Sequence, residues 1–431
     1  MGLLRQPAFR RLWAGQAVTQ FGTQISILAL PLTALTTLNA SAFEVSAVQA
    51  VQVAPYLLIG LPAGAWVDRM PRKPVLITAD LVRALVLLTV PVSHMLGVLT
   101  LAQLYAVGLT IGAATVFFDI AYQSYLPDIL PADDLAEGNS KLELARSGAL
   151  VGGHAAGGWL IGLLRGPVAL CVDILSFLFS AVMVWRIPGR PRPPEPAART
   201  GRLPCQDIIQ GLKFVRHHRL LAPITITSCL TNLSYAMVSA LLVTYATRQL
   251  GFSPARIGLV MALSSAGMVG GALASRRAAR RIGTGPTIVA ASLLCGAGPL
   301  LLPLAGYAAP HALLVDALLV GGLLIQAVGA VVLNVNQVSV RQAVTPRLLM
   351  GRMNATVRFV SWGALPVGAL LGGALAQVVG LHSAMWLSAL VGAPVFLGLA
   401  LSDVRRVGAD GGPRCEEPGT FAAVGRSRTR R

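Results

Sequence analysis

The chain has 431 residues, 55% of them hydrophobic and 12% charged, with a formal net charge of +18. A soluble protein carries about 25% charged residues, so this composition excludes an ordinary soluble enzyme and makes lipid the solvent. The basic excess alone would admit nucleic acid as a partner; its distribution along the chain argues against that.

Apolar runs of roughly 18 residues or more read as membrane helices. Twelve are predicted, at 9–38, 45–67, 75–96, 99–122, 143–164, 167–187, 220–246, 257–275, 285–306, 311–333, 353–379 and 382–402. Arg5, Arg10 and Arg11 flank the first as they would in a signal peptide. It is longer than a signal core of about 7–15 residues, so it is read as a retained helix. With the N-terminus inside, all Lys and Arg residues except Arg83, Arg165, Arg248 and Arg256 fall on the cytoplasmic side. That is the positive-inside bias. It predicts a multi-pass protein of the cytoplasmic membrane with both termini cytoplasmic, in contact with anionic lipid and not with nucleic acid.

The five cysteines (Cys171, Cys205, Cys229, Cys295, Cys415) are scattered, with no C-x-x-C. They predict neither a disulfide framework nor a metal site. No nucleotide loop, zinc-protease helix or nucleophile elbow occurs, so neither a cofactor nor an enzymatic activity is expected.

Four segments follow. Residues 1–187 form a first six-helix half and 220–402 a second. Between them, Pro188, Pro191, Pro193, Pro194 and Pro196 alternate with Arg190, Arg192 and Arg199, an extended linker over 188–219. Ile208, Ile209, Leu212, Phe214 and Val215 near its end have the spacing of an amphipathic surface helix. A basic tail, 403–431, has the composition of a disordered segment.

Residues 64–73, Gly-Ala-Trp-Val-Asp-Arg-Met-Pro-Arg-Lys, crowd an acid and three bases into a short turn between predicted helices 2 and 3. A spaced echo occupies 271–281, where Gly271, Arg276 and Arg280 match Gly64, Arg69 and Lys73 at an offset of 207, and Ser275 stands at the place of Asp68. At an offset of 215, Asp119 meets Asn334, Ser124 meets Ser339, Pro131 meets Pro346 and Asn139 meets Asn354. Gly148, Gly153, Gly157 and Gly158 likewise meet Gly363, Gly368, Gly372 and Gly373. Two homologous halves with a site between them at mid-membrane are the expected layout. The fold class expected is therefore an all-α integral membrane protein of twelve helices in two pseudo-symmetric halves.

The charged turn resembles the loop between helices 2 and 3 of the major facilitator superfamily, G-x-x-x-D-R-x-G-R/K-R/K, with Pro71 in place of the second glycine. Residues 117–127, Phe-Phe-Asp-Ile-Ala-Tyr-Gln-Ser-Tyr-Leu-Pro, resemble its twelve-helix drug–proton antiporter branch, which includes enterobactin exporters and macrolide efflux pumps. So do Asn139-Ser140-Lys141-Leu142 and Asp80-Leu81-Val82-Arg83. The resemblance covers about residues 5–402. It implies that the 2–3 turn docks on helix 11 when the inner side closes, and the 8–9 turn on helix 5. The repeat then pairs Asp68 with Arg358 and Arg276 with Glu143, within a gate that also includes Gly64, Arg69, Arg72, Lys73, Gly271 and Arg280. The bland alternative is that these bases only anchor lipid headgroups.

Ionisable groups inside the membrane are costly and usually functional. Asp119 is the first candidate for proton coupling and Asp173 the second. Asp80 and Arg83, three apart on one helical face, are further candidates or a structural pair. His154, in a glycine-rich run, either titrates or packs as a neutral histidine. Helix 1 carries Gln16, Gln20 and Gln24 on one face, which must turn away from lipid. With Tyr122, Asn232, Tyr235, Gln326, Asn334 and Trp362 they make a candidate cavity of amides and aromatics, suited to an amphipathic ligand; helix–helix hydrogen bonding is the alternative for each.

The function expected is export of small organic molecules, such as a drug, siderophore or secondary metabolite, by a monomer in which the two halves rock and protons drive transport. An importer or facilitator of the same fold, or a lipid flippase, are the alternatives.

Overall fold

The computed structural model describes residues 3–67, 69–164, 166–188, 212–308, 311–346 and 349–408. The helices are α1 Pro7–Thr37, α2 Ala42–Leu58 continuing as Gly60–Val67, α3 Arg72–Met95, α4 Leu101–Ile129, α5 Leu135–Leu164 and α6 Gly166–Trp185. The second half has α7 Leu221–Thr244 with a π turn Tyr245–Gln249, α8 Pro254–Ile282, α9 Thr284–Ala297 extended to Leu304, α10 Ala312–Val344, α11 Met350–Val379, and α12 Leu381–Gly392 resuming as Val395–Ala400. Among the described residues, 11 helices are long and apolar enough to span a membrane. The twelfth span is α2, which is interrupted at Ile59. Pro62 accounts for the break, because its ring clashes with the carbonyl four residues earlier and removes a donor.

Local chemistry sets the helix starts. Ser41 and Glu44 form a reciprocal capping box at α2, with Ser41 N–H donating to Glu44 Oε2 at 2.7 Å and Glu44 N–H to Ser41 Oγ at 3.3 Å. Thr100 caps α4, and Ser253 followed by Pro254 caps α8. At α7, His218 Nδ1 accepts the N–H groups of Leu220 and Leu221 at 3.2 and 3.4 Å. Burial keeps this histidine below the usual imidazole pKa, which preserves the lone pair that caps the helix.

Several boundaries differ from the sequence reading. The basic echo at 271–281 is not a turn: α8 runs through it to Ile282, and the connection is Gly283 alone, at φ +93°. Ala and Arg are strong helix formers, and bases suit a helix C-terminus; the left-handed glycine then stops the helix. Helices 5 and 11 also begin earlier than expected, so Glu143 and Arg358 lie more than two turns inside them, not at their starts. Of the linker, residues 189–211 and with them Ile208 and Ile209 lie outside the described residues, as does the tail from 409; residues 212–217 are helical.

The repeat has a packing meaning. A Cβ at Gly153 would meet Gln24 of α1, and one at Gly157 would meet Ile25; the equivalents Gly368 and Gly372 meet Leu233 and Met237 of α7. Each pair seats the fifth helix of a half on its own first helix. Gly158 and Gly373 instead face the opposite half: Gly258 of α8 for one, Ser46 and Phe43 of α2 for the other. The spacing of the two glycine sets thus encodes both the intra-half and the cross-half seams.

The halves are joined unequally along their length. At the face away from the termini, one hydrophobic cluster holds buried residues of both halves, including Leu28, Leu32, Leu241 and Leu302, and Arg248 Nη2 donates across the seam to Ala40 O at 2.8 Å. Toward the terminal face the clusters stay within a half: Phe9, Phe118 and Val184 in the first, Ile224, Val340 and Met353 in the second. The molecule is closed on the far face and open on the terminal face.

The α5–α8 crossing is the tightest contact in that closure. A Cβ at Gly158 would lie 2.5 Å from Pro254 O, and one at Gly258 would lie 2.5 Å from His154 O and 2.7 Å from Gly158 Cα. Gly258→Val is expected to push the far face open, at a cost of roughly 1–3 kcal/mol or more. A reporter Ala40→Cys, at a fully buried position, should then react with a membrane-impermeant maleimide several times faster; unchanged labelling would contradict this account of the seam.

Candidate transport site and gate

The opening between the halves contains a line of polar and aromatic groups that crosses the molecule. Asp119 of α4 is half-buried, and Tyr56 Oη of α2 donates to its Oδ2 at 2.7 Å. The Tyr56 ring meets Trp362 of α11 edge-on at 5.0 Å, and the Arg358 guanidinium lies 4.9 Å from the same indole ring. A carboxylate in one half is thus linked through two rings to a cation in the other. Tyr122, one turn beyond Asp119, stacks on Phe118 at 6.0 Å, and its buried hydroxyl has no hydrogen-bond partner. Tyr56 was not among the sequence candidates; a hydroxyl beside Pro55, one turn beyond Gln52 in a predicted span, was the available signal.

Beside this line, α5, α7, α8 and α10 enclose a cavity of about 280 Å³. Its wall includes His154, Tyr235, Ser265, Gln326, Met261 and Met268. His154 Nδ1 and Ser265 Oγ are 3.4 Å apart across the seam. Two of the sequence candidates, Tyr235 and Gln326, therefore meet in one wall. The other candidates are placed differently. Asn232 donates to Ser361 O at 2.8 Å, tying α7 to α11. Gln24 is buried against Gly153, Gln16 and Gln20 are partly buried along α1, and Asn334 is exposed. In its place on α10, Asn336 is buried and donates to Ser275 Oγ at 3.0 Å.

Three further membrane charges, Asp80, Arg83 and Asp173, are sealed inside the first half. Asp80 and Arg83 form an ion pair on α3, both side chains almost fully buried. The Arg83 guanidinium sits 4.3 and 4.5 Å from the Phe118 and Phe177 rings, and its Nε has no partner. Asp173 of α6 accepts from Ser26 Oγ at 2.5 Å and Ser176 Oγ at 2.9 Å. Gly22 makes room for it, since a Cβ there would lie 2.6 Å from Asp173 Oδ1. Asp173 is thus spent between α1 and α6, away from the opening.

At the terminal face the charges of the 2–3 turn hold their own half together. Arg72 Nη1 reaches both oxygens of Asp128 at 2.7 Å, and Lys73 Nζ donates to Ile187 O at 2.8 Å. Asp128, at the end of α4, was missed in the sequence because its partner lies 56 residues away. Asp68 lies outside the described residues. Arg69, Arg276, Arg280, Glu143 and Arg358 are exposed, and Glu143 bonds to Arg146 one turn on, at 3.8 Å. Gly64 has open space where a Cβ would point, whereas a Cβ at Gly271 would lie 2.8 Å from Val328 O of α10. Among the described residues no group of three or more His, Cys, Asp or Glu gathers as a metal site would require.

Comparison with known proteins agrees with this architecture. The chain is 28% identical over 375 residues to the multidrug efflux pump Tap of Mycolicibacterium fortuitum, covering 84% of this chain and 87% of that protein. It is 23% identical over 270 residues to macrolide efflux protein A of Streptococcus pyogenes, covering 62% and 65%. A bacterial homologue of the iron transporter ferroportin superposes with a TM-score of 0.72 in its inward-facing state, at 16% identity over 93% of this chain and 100% of that one. In its outward-facing state the score is 0.59, at 17% identity over 91% and 99%. A family model matches residues 12–365, and the chain belongs to the Major Facilitator Superfamily.

Proposed function

We propose that this transporter exports amphipathic organic molecules from the cytoplasm in exchange for protons. The observation that carries the reading is Asp119: a half-buried carboxylate at the opening, joined through Tyr56 and Trp362 to the second half. While Asp119 is ionised, the Tyr56 hydroxyl donates to it; once it is protonated, that bond loses its charge-assisted strength. Proton binding therefore loosens the hold on Tyr56, whose ring meets Trp362 of the second half, and so bears on the contact between the halves, which is what coupling requires.

The base-rich terminal face is cytoplasmic in this reading, so the conformation is open to the cytoplasm. The gate pairs Asp68–Arg358 and Arg276–Glu143 then belong to the opposite state. They form as the terminal face closes; Arg276 is exposed, and Glu143 would exchange its loose 3.8 Å pair with Arg146 for the cross-half partner. Asp80, Arg83 and Asp173 serve as the buried frame behind Asp119.

The walls support this substrate class. Rings at Tyr56, Trp362 and Tyr235, an amide at Gln326 and the flexible thioethers of Met261 and Met268 fit varied apolar bodies with a few polar groups. The drug-efflux relatives support the same class. The working unit is a monomer in lipid, without nucleic acid or cofactor.

The test is accumulation of a fluorescent amphipathic cation in energised everted vesicles. Protonophore-sensitive uptake above empty vesicles is the expected result. Equilibration that ignores the protonophore would replace the reading with a facilitator, and a requirement for lipid substrates would replace it with a flippase.

A further inference from the structure

A second concave site lies on the outer wall of the second half, away from the opening. It is a groove of about 280 Å³ between α7 and α12, lined by Pro223, Ile226 and Leu230 on one side and Pro394, Val395 and Gly398 on the other. Its apolar wall faces outward: Ile226 is 59% exposed and Leu397, beside Gly398, is 48% exposed. In a membrane protein that surface is met by acyl chains. The break in α12 at Ala393–Pro394 and the bare Gly398, with open space where a Cβ would point, give the groove its depth.

The end of this groove nearest the terminal face is basic. Arg219 precedes α7 by two residues and stands about one turn from Pro223. Arg405 and Arg406 follow α12. All three are exposed. Leu220 and Val404, next in sequence to Arg219 and Arg405, are buried in the same hydrophobic cluster, which places both basic segments on the terminal-face side of the second half. Lys213 and Arg216 add exposed positive charge on the short helical stretch leading to α7. Among the described residues of these two segments the acid is Asp403, which forms only a loose 4.0 Å pair with Arg406. Among the described residues of the two segments, bases outnumber this one acid.

We propose that this groove is a binding site for one anionic phospholipid, its acyl chain lying along α7 and α12 and its phosphate held by Arg219, Arg405 and Arg406. The apolar trough supplies affinity for any lipid; the arginines supply the preference for negative headgroup charge. The proposal depends only on the chain residing in a membrane and is independent of the transport reading.

Native mass spectrometry of the detergent-purified full chain, offered phosphatidylglycerol and phosphatidylethanolamine in equal amounts, tests it directly. One retained phosphatidylglycerol is expected, favoured by roughly tenfold. Arg219→Gln/Arg405→Gln/Arg406→Gln should bring the two lipids to near parity. Gly398→Leu should expel both from the retained position, whereas Gly270→Leu, another glycine with open space at its Cβ, should not. Equal retention of the two lipids by the wild type would overturn the headgroup assignment without reference to any variant. Undiminished phosphatidylglycerol binding by a folded Gly398→Leu protein would overturn the location. Inorganic phosphate that displaces the lipid without an acyl chain would reduce the site to a simple anion site and refute the groove's part in it.

Discussion

Asp119→Asn is expected to bring protonophore-sensitive accumulation down to the level of vesicles lacking the protein. Asparagine keeps the size of the side chain and an oxygen able to accept from Tyr56, so the packing around α2, α4 and α11 should survive. What disappears is the charge that a proton can neutralise. Substrate binding, measured by quenching of tryptophan fluorescence near Trp362, should persist, because the rings and Gln326 are untouched. Tyr56→Phe should give an intermediate loss. It removes the 2.7 Å hydrogen bond, and a bond to a charged group contributes about 1.5–3 kcal/mol, or roughly 10–100-fold in a rate or equilibrium that depends on it. If Asp119→Asn pumped at wild-type speed, coupling would have to move to another carboxylate, and the sealed positions of Asp80 and Asp173 would need a water path absent from this conformation.

Arg83→Ala should destabilise the fold far more than Asp119→Asn or Tyr56→Phe. The guanidinium neutralises Asp80, which is fully buried, and fills the space between Phe118 and Phe177. Removing one partner of a buried ion pair leaves an uncompensated charge and costs about 3–5 kcal/mol. Thermal unfolding of the detergent-solubilised protein should therefore begin well below the wild-type temperature. Asp80→Asn combined with Arg83→Met removes both charges while retaining bulk against the two rings, and should recover most of the loss. A single Arg83→Ala protein as stable as the double variant would mean that the pair is not the stabilising unit.

Much of the architecture was legible because lipid imposes simple rules. Long apolar runs must be helices, and bases collect at their ends on one side. The eight-position repeat predicted the two halves, and most of its glycines turned out to mark the seams, since a missing side chain is what close helix crossing requires. Legibility failed where geometry, not composition, decides. The run Arg276-Arg277-Ala278-Ala279-Arg280-Arg281 looks like a loop by hydropathy, yet its residues are good helix formers and α8 continues through it. The role of Arg72 needed Asp128, and the setting of Asp119 needed Tyr56, both from other helices. Among the amides, sequence could say that Gln24 and Asn232 avoid lipid. It could not say that one packs on Gly153 and the other holds Ser361 O, while Gln326 is left to line the cavity.

The crossing of Gly158 on Gly258 also sets a mechanical scale. Two backbones in such contact have no room to slide past an intervening side chain, but they can tilt about the point where they touch. From Gly258 to the end of α8 at Ile282 the helix extends about 36 Å at 1.5 Å per residue. The contact is a fulcrum near one end of a long lever. A change of angle too small to disturb the packing at Gly258 sweeps the arginines at the far end of α8 through several ångströms, so that fine fit at one face of the membrane is converted into coarse motion at the other.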